Sequence, residues 1–311
     1  MRRDNHRKMQ QRKEPPRLLI GGLVAAAIII AWLLLSGGNG GGDGWKVTQD
    51  GTLVYPASRG DVAVDSRVLE SGNSTLYLVT FDSRGGAKVS GLLRVPASAK
   101  RVPAVLILPG ATVPKEGEQG LAQWLAGLGY ASLAIDQRNL GGIDFQGDLG
   151  RFRDEKEPIQ HMMVYDALRA FDLLRQDERI DPDRIVIIGS SNGGRFALIA
   201  AALEPSVRGV IGISTAGYGI DGFVRRGEIS DPEDIRFYRS VDPDRYIAKL
   251  SPRKVVLLHS INDSVIPYGQ ALNTFTFAKQ PKKLYNFTGS SHGESSEMLP
   301  VIQQELKEMF S

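Results

Sequence analysis

The fold is decided by the stretch Arg184-Ile185-Val186-Ile187-Ile188-Gly189-Ser190-Ser191-Asn192-Gly193-Gly194. Its first half is an apolar run rich in β-branched residues, which is typical of a strand buried on both faces. The pattern G-x-S-x-G, centred on Ser191, ends this run, and a helix-forming run at 195–203 follows. Strand, tight glycine turn and helix together make a nucleophile elbow, where glycines leave space for a serine lifted out of the sheet. The stretch therefore predicts a nucleophilic Ser191 at the end of a central strand.

A second G-x-S-x-G match occurs at Gly289-Ser290-Ser291-His292-Gly293, also between a strand-like run and a helix-like run. The pattern alone does not distinguish the two matches. A serine nucleophile needs a general base, and that base needs a carboxylate to orient it. After Ser291 the chain contains no aspartate, and its one histidine there is the adjacent His292. The first match is therefore interpreted as the nucleophile, and the second as a histidine loop.

The composition indicates an ordinary globular protein with an uneven charge distribution. The 311 residues are 42% hydrophobic and 23% charged, enough for one sizeable domain. The absence of cysteine excludes disulfides, thiol nucleophiles and thiolate metal sites. Residues 1–17 carry seven Lys or Arg against Asp4 and Glu14, a surplus of 5, so the net charge of +3 leaves about −2 for the rest. This balance does not support a basic nucleic-acid-binding face, and we expect no nucleic-acid partner.

The first 44 residues predict a membrane anchor. Residues 1–17 are polar and basic, which indicates a disordered tail. Residues 18–36 are an uncharged apolar segment of 19 residues, long enough as a helix to span the roughly 30 Å hydrocarbon core. Residues 37–44 form a glycine-rich linker, and the folded domain is expected at 45–311. Positive charge ahead of the segment predicts a single-pass protein with a cytoplasmic N-terminus and an extracytoplasmic domain. Cleavage as a signal peptide, the alternative, would give a secreted protein.

The rest of the chain follows an α/β pattern. Strands are expected at 62–69, 75–81, 87–95, 104–108, 131–135, 185–188, 207–213, 254–258 and 282–287. Helices are expected at 119–128, 158–175, 195–203, 268–278 and 294–310. The segment 215–250 interrupts the alternation and is interpreted as a cap-like insertion over the C-terminal edge of the sheet. An antiparallel start followed by β–α units predicts a mostly parallel sheet with helices on both faces.

The four histidines limit the search for a general base. His6 lies in the predicted cytoplasmic tail. His161 opens a helix away from the strand C-termini, so we expect a surface or capping residue there. His259 lies at the end of a predicted strand, and His292 lies in the loop after the last predicted strand. With Asp263, which also follows a strand, His292 gives the chain order serine, acid, histidine.

The Ser191 elbow, the Asp263 loop and the His292 loop, in this order along the chain, resemble the motifs of α/β-hydrolase-fold serine hydrolases. Residues 180–194 are similar to the elbow region of dienelactone hydrolase-like esterases and prolyl oligopeptidase-like catalytic domains, and the resemblance extends over about residues 60–311. Residues 259–267 resemble the acid loop H-G-x-x-D-x-x-V-P of these families, with Ser260 for the glycine and Ile266 for the valine. The resemblance implies an α/β-hydrolase fold in which Asp263 is the acid and His259 a structural residue of the loop.

The same resemblance implies an oxyanion hole made of two backbone N–H groups. One belongs to Asn192, directly after the nucleophile. The other is assigned to Ala111, in a loop where relatives commonly have His-Gly and this chain has Pro109-Gly110. Residues 136–142 resemble the family's D-x-R-G-x-G loop and are interpreted as a salt-bridged wall of the pocket. Some residues of the insertion either line a substrate cap or pack beneath a solvated lid, namely Tyr218, Phe223, Arg225, Arg226, Phe237 and Tyr238.

Three functions are compatible with these residues. The first is a membrane-tethered carboxylic-ester hydrolase in which Ser191 attacks, His292 transfers the proton and Asp263 orients His292, with an acyl-enzyme intermediate. The second is a peptidase or amidase that uses the same residues on short peptides. The third is a catalytically silent binding module. The sequence shows no dinucleotide-binding motif, no P-loop and no metal-ligand spacing, so we expect no cofactor and no metal.

Overall fold

The computed structural model describes residues 44–289 and 291–311 of the chain. The predicted basic tail (1–17), the predicted transmembrane helix (18–36) and linker residues 37–43 lie outside these ranges. Within them, no helix combines the length and the apolar composition that crossing a bilayer requires.

A nine-stranded sheet forms the centre of the domain, and a separate two-stranded hairpin precedes it in the chain. The hairpin consists of β1 (Lys46–Val47) and β2 (Leu53–Val54). The strands of the large sheet are β3 (Val64–Glu70), β4 (Ser74–Asp82), β5 (Lys88–Pro96), β6 (Val102–Leu108), β7 (Ala131–Ile135), β8 (Ile180–Ser190), β9 (Gly209–Ile213), β10 (Lys254–Ser260) and β11 (Lys282–Phe287).

The strand order confirms the predicted topology. The strands lie in the order β11-β10-β9-β8-β6-β7-β5-β4-β3. The β3–β4, β4–β5 and β5–β7 pairs are antiparallel, and the pairs from β7 through β6, β8, β9 and β10 to β11 are parallel. Because parallel strands end at one edge, the loops after β6, β8, β10 and β11 are brought together there.

Helices cover both faces of the sheet, as expected. They are α1 (Gln119–Gly127), α2 (Phe145–Arg153), α3 (Ile159–Gln176), α4 (Asn192–Leu203), α5 (Ile220–Arg225), α6 (Pro232–Ser240), α7 (Tyr268–Phe277) and α8 (Leu299–Phe310). Along β8, Ile185 and Ile187 pack in the cluster that contains α3 and α4, whereas Val186 and Ile188 pack in the cluster that contains α1 and α8. Alternate side chains of a strand point to opposite faces, so β8 is covered on both.

Two elements begin five residues away from the predicted position. The strand expected to begin at Ile185 begins at Ile180, because Val102 of β6 pairs with Ile180 and the register then shifts past the polar segment 181–184. The helix expected at 294–310 begins at Leu299, after a 3₁₀ turn at Ser296–Met298. Pro300 lies in the first turn of α8, the part of a helix where the missing proline N–H costs nothing.

The insertion at 215–250 packs into the domain through its aromatic residues. Phe237 and Tyr246 are fully buried in the same cluster as α3 and α4. The Tyr246 hydroxyl accepts a hydrogen bond from the Leu53 backbone N–H at 2.8 Å and donates one to the Ser240 carbonyl at 2.8 Å. These contacts match the interpretation in which the aromatic residues pack, and they join α6 to the β1–β2 hairpin.

His161 is a fully buried residue, and the expectation of a surface or capping role was wrong. Its ring lies among Trp45, Phe152 and Phe237, with centroids 5.6 to 6.5 Å away. Nε2 lies 2.7 Å from Ser240 Oγ, which donates its own proton to the Phe237 carbonyl, so Nε2 is assigned the ring proton. No local pattern indicates this burial, because two of the aromatic partners, Trp45 and Phe237, are distant from His161 in the chain. Burial lowers the pKa of His161 to about 3.

This buried histidine makes the stability of the domain sensitive to acid. An unfolded histidine titrates near pH 6.5, so between about pH 6.5 and pH 3 the unfolded state binds the extra proton. We expect the free energy of unfolding to decrease as the pH is lowered through this window. At pH 5 the decrease from His161 alone is about 2 kcal/mol. Urea unfolding of wild type and His161→Gln at pH 5, 6 and 7 measures the difference. The variant should show a flatter pH dependence, and identical slopes would contradict the assignment.

Candidate active site

Ser191 lies at a strained turn between β8 and α4. Its backbone has φ 51° and ψ −120°, a conformation that residues other than glycine rarely adopt. The Ser191 N–H donates to the Ile213 carbonyl at 2.9 Å, and Thr215 Oγ1 donates to the Ser191 carbonyl at 2.7 Å. Both partners belong to the end of β9 and the loop after it. The strain is therefore held by the neighbouring parallel strand, and the serine hydroxyl is left at the C-terminal edge of the sheet.

The glycines of the motif are required by close backbone contacts. A Cβ on Gly189 would lie 2.4 Å from the Gly193 carbonyl oxygen. A Cβ on Gly193 would lie 2.1 Å from the carbonyl oxygen of Leu108, the last residue of β6. Both distances are far below van der Waals contact, and both involve backbone that cannot rotate away. The spacing of the glycines therefore reflects the packing of the α4 N-terminus against β8 and β6.

We expect Gly193→Ala to be strongly destabilising, because the added methyl group would force α4 away from β6. Overpacking typically costs about 1 to 3 kcal/mol, and we expect a loss at the upper end because the obstacle here is backbone. Gly150→Ala in α2 is the matched control, since a Cβ there meets no atom within 4 Å. That control should be neutral or stabilising by up to about 1 kcal/mol. Thermal unfolding followed by circular dichroism measures both, and equal melting temperatures would refute the packing argument.

Asp263 and His292 are brought to Ser191 from loops far apart in the chain. His292 Nε2 lies 3.0 Å from Ser191 Oγ. His292 Nδ1 lies 2.8 Å from Asp263 Oδ2 and 3.0 Å from Oδ1. Asp263 follows β10 and His292 follows β11, so both loops project from the same edge as the elbow. The three side chains form a continuous hydrogen-bonded chain from hydroxyl to imidazole to carboxylate.

The surroundings of Asp263 keep it ionised. Its residue surface is 6% exposed, and this burial by itself would raise the pKa. The Ile266 N–H, the His292 ring and the Val265 N–H together outweigh burial and lower the pKa of Asp263 below its ordinary value. Both N–H groups donate to Oδ1 at 2.9 Å, which also fixes the direction of the carboxylate. Asp263 therefore presents a fixed negative charge to His292 Nδ1 at neutral pH.

His259 supports the loop that carries Asp263. Its ring is fully buried, and Nε2 lies 2.8 Å from the Ile266 carbonyl oxygen and 3.4 Å from Asp263 Oδ2. Burial lowers the pKa of His259, so its ring is neutral and Nε2 carries the proton that the Ile266 carbonyl accepts. This contact fixes the turn that aims two N–H groups at Asp263. The structural role inferred for His259 agrees with this geometry.

The two N–H groups assigned to the oxyanion hole are free to bind a ligand. Asn192 is the first residue of α4, where helix N–H groups lack an intrahelical acceptor. In the Ala111 loop, Thr112 N–H donates to Leu140 and Val113 N–H donates to Gly110, so both are occupied. Neither Asn192 N–H nor Ala111 N–H donates to another group in residues 44–289 and 291–311. The loop approaches the nucleophile closely, since a Cβ on Gly110 would lie 3.4 Å from Ser191 Cβ.

The loop 136–142 is salt-bridged, as interpreted from its sequence. Arg138 Nε pairs with the buried Asp166 at 2.7 Å, and Lys115 Nζ pairs with Asp136 at 2.7 Å. These pairs attach the loop to α3 on one side and to the segment before α1 on the other.

The same loop also holds both oxyanion segments, which sequence reasoning did not detect. The Leu140 carbonyl accepts from Thr112 N–H at 2.6 Å, and the Gly141 carbonyl accepts from Asn192 Nδ2 at 3.0 Å. Gln137 Nε2 donates to the Pro109 carbonyl. Leu140 adopts φ 48°, outside the usual range for leucine, to aim its carbonyl in this direction. Such contacts use backbone carbonyls and leave no pattern in side-chain types.

A cavity of about 420 Å³ opens onto Ser191. It is lined by Gly110, Ala111, Val113, Gly117, Glu118, Gly120, Leu121, Ser190, Ser191, His292, Gly293 and Glu294. None of these lining residues comes from the 215–250 insertion. A larger cavity of about 710 Å³ lies between residues 52–60 and the ends of α3 and α4, away from Ser191. In the described part of the chain, no cluster of three His, Asp or Glu side chains could hold a metal ion.

A model of a known protein family covers the elbow and the strands around it. The family described as acetyl xylan esterase (AXE1) matches residues 59–246, more than half of the chain. The chain belongs to the acetyl xylan esterase (AXE1) family. The AXE1 match includes Ser191, Asn192 and Ala111, whereas Asp263 and His292 lie beyond its C-terminal limit. AXE1 membership confirms the prediction of an ester-cleaving hydrolase.

Individual relatives of this AXE1 protein are distant. Uncharacterized protein YfhR of Escherichia coli O157:H7 is 24% identical over 221 residues, covering 69% of this chain and 72% of that protein. Acetyl esterase Axe7A of Xylanibacter ruminicola is 23% identical over 279 residues, covering 81% of this chain and 63% of that protein. The solved structure of the acetyl xylan esterase from Paenibacillus sp. R4 superposes with a TM-score of 0.68 at 18% identity, covering 80% and 90% of the two chains. This superposition confirms the α/β-hydrolase fold.

Proposed function

We propose that the protein is a serine carboxylesterase that cleaves small esters, with Ser191, His292 and Asp263 as its catalytic residues. The observation that carries the proposal is the uninterrupted contact from Ser191 Oγ through the His292 ring to Asp263, at 3.0 Å and 2.8 Å. Membership of the AXE1 family supports ester bonds as the target. A chain of hydroxyl, imidazole and ionised carboxylate is the arrangement that makes a serine nucleophilic at neutral pH.

The proposed reaction proceeds in two halves. In the first, His292 Nε2 accepts the Ser191 proton while Oγ attacks the ester carbonyl carbon, and Asp263 stabilises the resulting imidazolium. The carbonyl oxygen becomes an oxyanion bound by the Asn192 and Ala111 N–H groups. His292 then protonates the departing alcohol and an acyl-enzyme remains on Ser191. In the second half, His292 activates a water molecule that hydrolyses the acyl-enzyme.

Acetyl esters are the proposed substrate class. Two observations support this choice, the AXE1 family description and the relative named acetyl esterase Axe7A. The cavity at Ser191, about 420 Å³, lies at the small end of the range for small-molecule sites. A short acyl group and a small alcohol group fit together in a cavity of this volume.

We further propose that residues 18–36 anchor the esterase as a single-pass membrane protein with its catalytic domain on the extracytoplasmic side. The uncharged apolar segment, the basic residues before it and the glycine linker after it support this topology. Fractionation of cells that express the full chain tests it. The protein should stay in the membrane pellet after carbonate extraction, and added protease should digest the domain in spheroplasts. Recovery of the protein in the soluble fraction, with a mass that shows the loss of the N-terminal segment, would instead indicate cleavage.

A substrate panel tests the activity itself. The detergent-solubilised full chain is assayed on p-nitrophenyl esters of increasing acyl length, beside aminoacyl and prolyl anilides. We expect the highest kcat/KM on the acetyl ester, falling with chain length, and little cleavage of the anilides. Preference for anilides would indicate a peptidase or amidase. No turnover of any compound, together with no labelling of Ser191 by a fluorophosphonate, would indicate a binding module.

A further inference from the structure

Two glutamates line the cavity at Ser191 without a part in the proposed reaction. Glu118 directly precedes α1, and Glu294 follows His292 by two residues. Both border the same 420 Å³ cavity as Ser191 Oγ. Glu118 is 9% exposed, so more than nine-tenths of its surface is buried. Glu294 stands at the mouth of the cavity and remains in contact with water.

Neither carboxylate has a partner in the part of the chain that the structure describes. No side chain or backbone N–H there donates a hydrogen bond to Glu118 or Glu294, and no cation pairs with them. Lys115, which is close in sequence, is occupied by Asp136 at 2.7 Å and Glu116 at 2.9 Å. A largely buried carboxylate without a partner is less favourable than the same group in water, and a cationic ligand would offset this cost.

The two carboxylates also influence each other. Burial raises the pKa of Glu118, even though its position before α1 lets the helix dipole favour the charged form. Although the residue surface of Glu294 is partly open to water, desolvation of its carboxyl group by the surrounding protein, and after it the charge of Glu118, raises the pKa of Glu294 to about 7. When both groups are ionised, two unpaired negative charges border the cavity that contains Ser191. These charges oppose the oxyanion that forms when Ser191 attacks a neutral ester.

We propose that Glu118 and Glu294 form a subsite for a positively charged group of the substrate, so that the enzyme favours cationic esters such as quaternary ammonium esters. The proposal rests on the proposed esterase function, because it places the cation in the cavity where Ser191 attacks the carbonyl. A bound ammonium group pairs with both carboxylates and cancels their repulsion of the oxyanion. The benefit is greatest in the transition state, where the negative charge develops, so it raises kcat/KM.

Isosteric ester pairs test this subsite at pH 8. Acetylcholine is compared with 3,3-dimethylbutyl acetate, which replaces the ammonium nitrogen by carbon and places the difference on the alcohol side. The p-nitrophenyl esters of trimethylglycine and of 3,3-dimethylbutanoic acid place the same exchange of ammonium nitrogen for carbon on the acyl side. The measured quantity is the ratio of kcat/KM, cationic over neutral, in wild type and in variants of the full chain.

We expect this ratio to fall at least 10-fold from wild type to Glu118→Gln/Glu294→Gln in one of the two pairs. Glu294→Gln alone, at an exposed position, should give part of the fall and covers the case in which the double variant does not fold. Glu116→Gln is the matched control, because its carboxylate is exposed and pairs with Lys115. It should leave the ratio at the wild-type value. A ratio that changes less than 3-fold in both pairs, with turnover intact, would overturn the subsite alone.

A second measurement does not depend on ester turnover. The rate at which Ser191 is phosphorylated by diethoxyphosphorylthiocholine is compared with the rate for its neutral 3,3-dimethylbutyl analogue. The cationic reagent should react at least 10-fold faster in wild type than in Glu118→Gln/Glu294→Gln and should lose part of this rate in Glu294→Gln alone, and the neutral reagent should show neither loss. Equal losses for both reagents would overturn the subsite. Failure of both reagents and of a fluorophosphonate to label Ser191 would overturn the proposed function, and the subsite with it.

Discussion

Replacing Ser191 by alanine is expected to lower kcat for p-nitrophenyl acetate by a factor of about 10⁵ to 10⁶. Alanine has no Oγ, so no acyl-enzyme forms, and His292 Nε2 loses the group that lies 3.0 Å away. The N–H groups of Asn192 and Ala111 would still polarise a bound carbonyl, which leaves a small residual rate. Steady-state hydrolysis and active-site titration measure the loss.

Two controls make this result specific. Ser206→Ala changes an exposed serine between α4 and β9, at the opposite edge of the sheet, and should keep wild-type turnover. The double variant Ser191→Ala/His292→Ala should be no slower than Ser191→Ala, because residues that act as one unit are not additive. Hydrolysis at a substantial fraction of the wild-type rate in Ser191→Ala would sink the mechanism.

The second large effect is expected from Asp263→Asn, with a loss in kcat of about 10⁴. Asparagine is isosteric, and its Oδ1 can still accept from the Val265 and Ile266 N–H groups, which lie 2.9 Å from the native Oδ1. That arrangement directs the amide NH₂ at His292 Nδ1. The imidazole must then accept at Nδ1 and carry its proton on Nε2, where it can no longer take the proton of Ser191.

The pH dependence of the wild type follows from the same carboxylate. Because the pKa of Asp263 is lowered, the acid stays ionised down to pH values well below neutral. An acid limb of activity near neutral pH would therefore not arise from protonation of Asp263. Asp82→Asn serves as the control, since this exposed aspartate pairs with Lys88 and should leave kcat unchanged. Full activity in Asp263→Asn with a folded domain would show that the carboxylate does not orient the histidine.

Short-range patterns predicted the fold because its central elements are locally consistent. The β-branched run 185–188 forms the fully buried part of β8, and the glycines after it occupy positions where no side chain fits. Boundaries were less accurate where a distant partner sets them. Ile180 belongs to β8 because Val102 pairs with it, and His161 is buried because α6 and the β1–β2 hairpin pack over α3.

The chemical groups of the candidate site and their order along the chain could be predicted from the residue pattern. Ser191, Asp263 and His292 each follow a strand, and parallel strands of one sheet end at one edge, so their meeting could be expected. The tertiary structure alone decided which unassigned groups share that edge. Glu118 and Glu294 line the same cavity as Ser191, and the carbonyls of Leu140 and Gly141 bind the segments assigned to the oxyanion hole. No motif records these contacts, because they depend on how loops distant in the chain pack against each other.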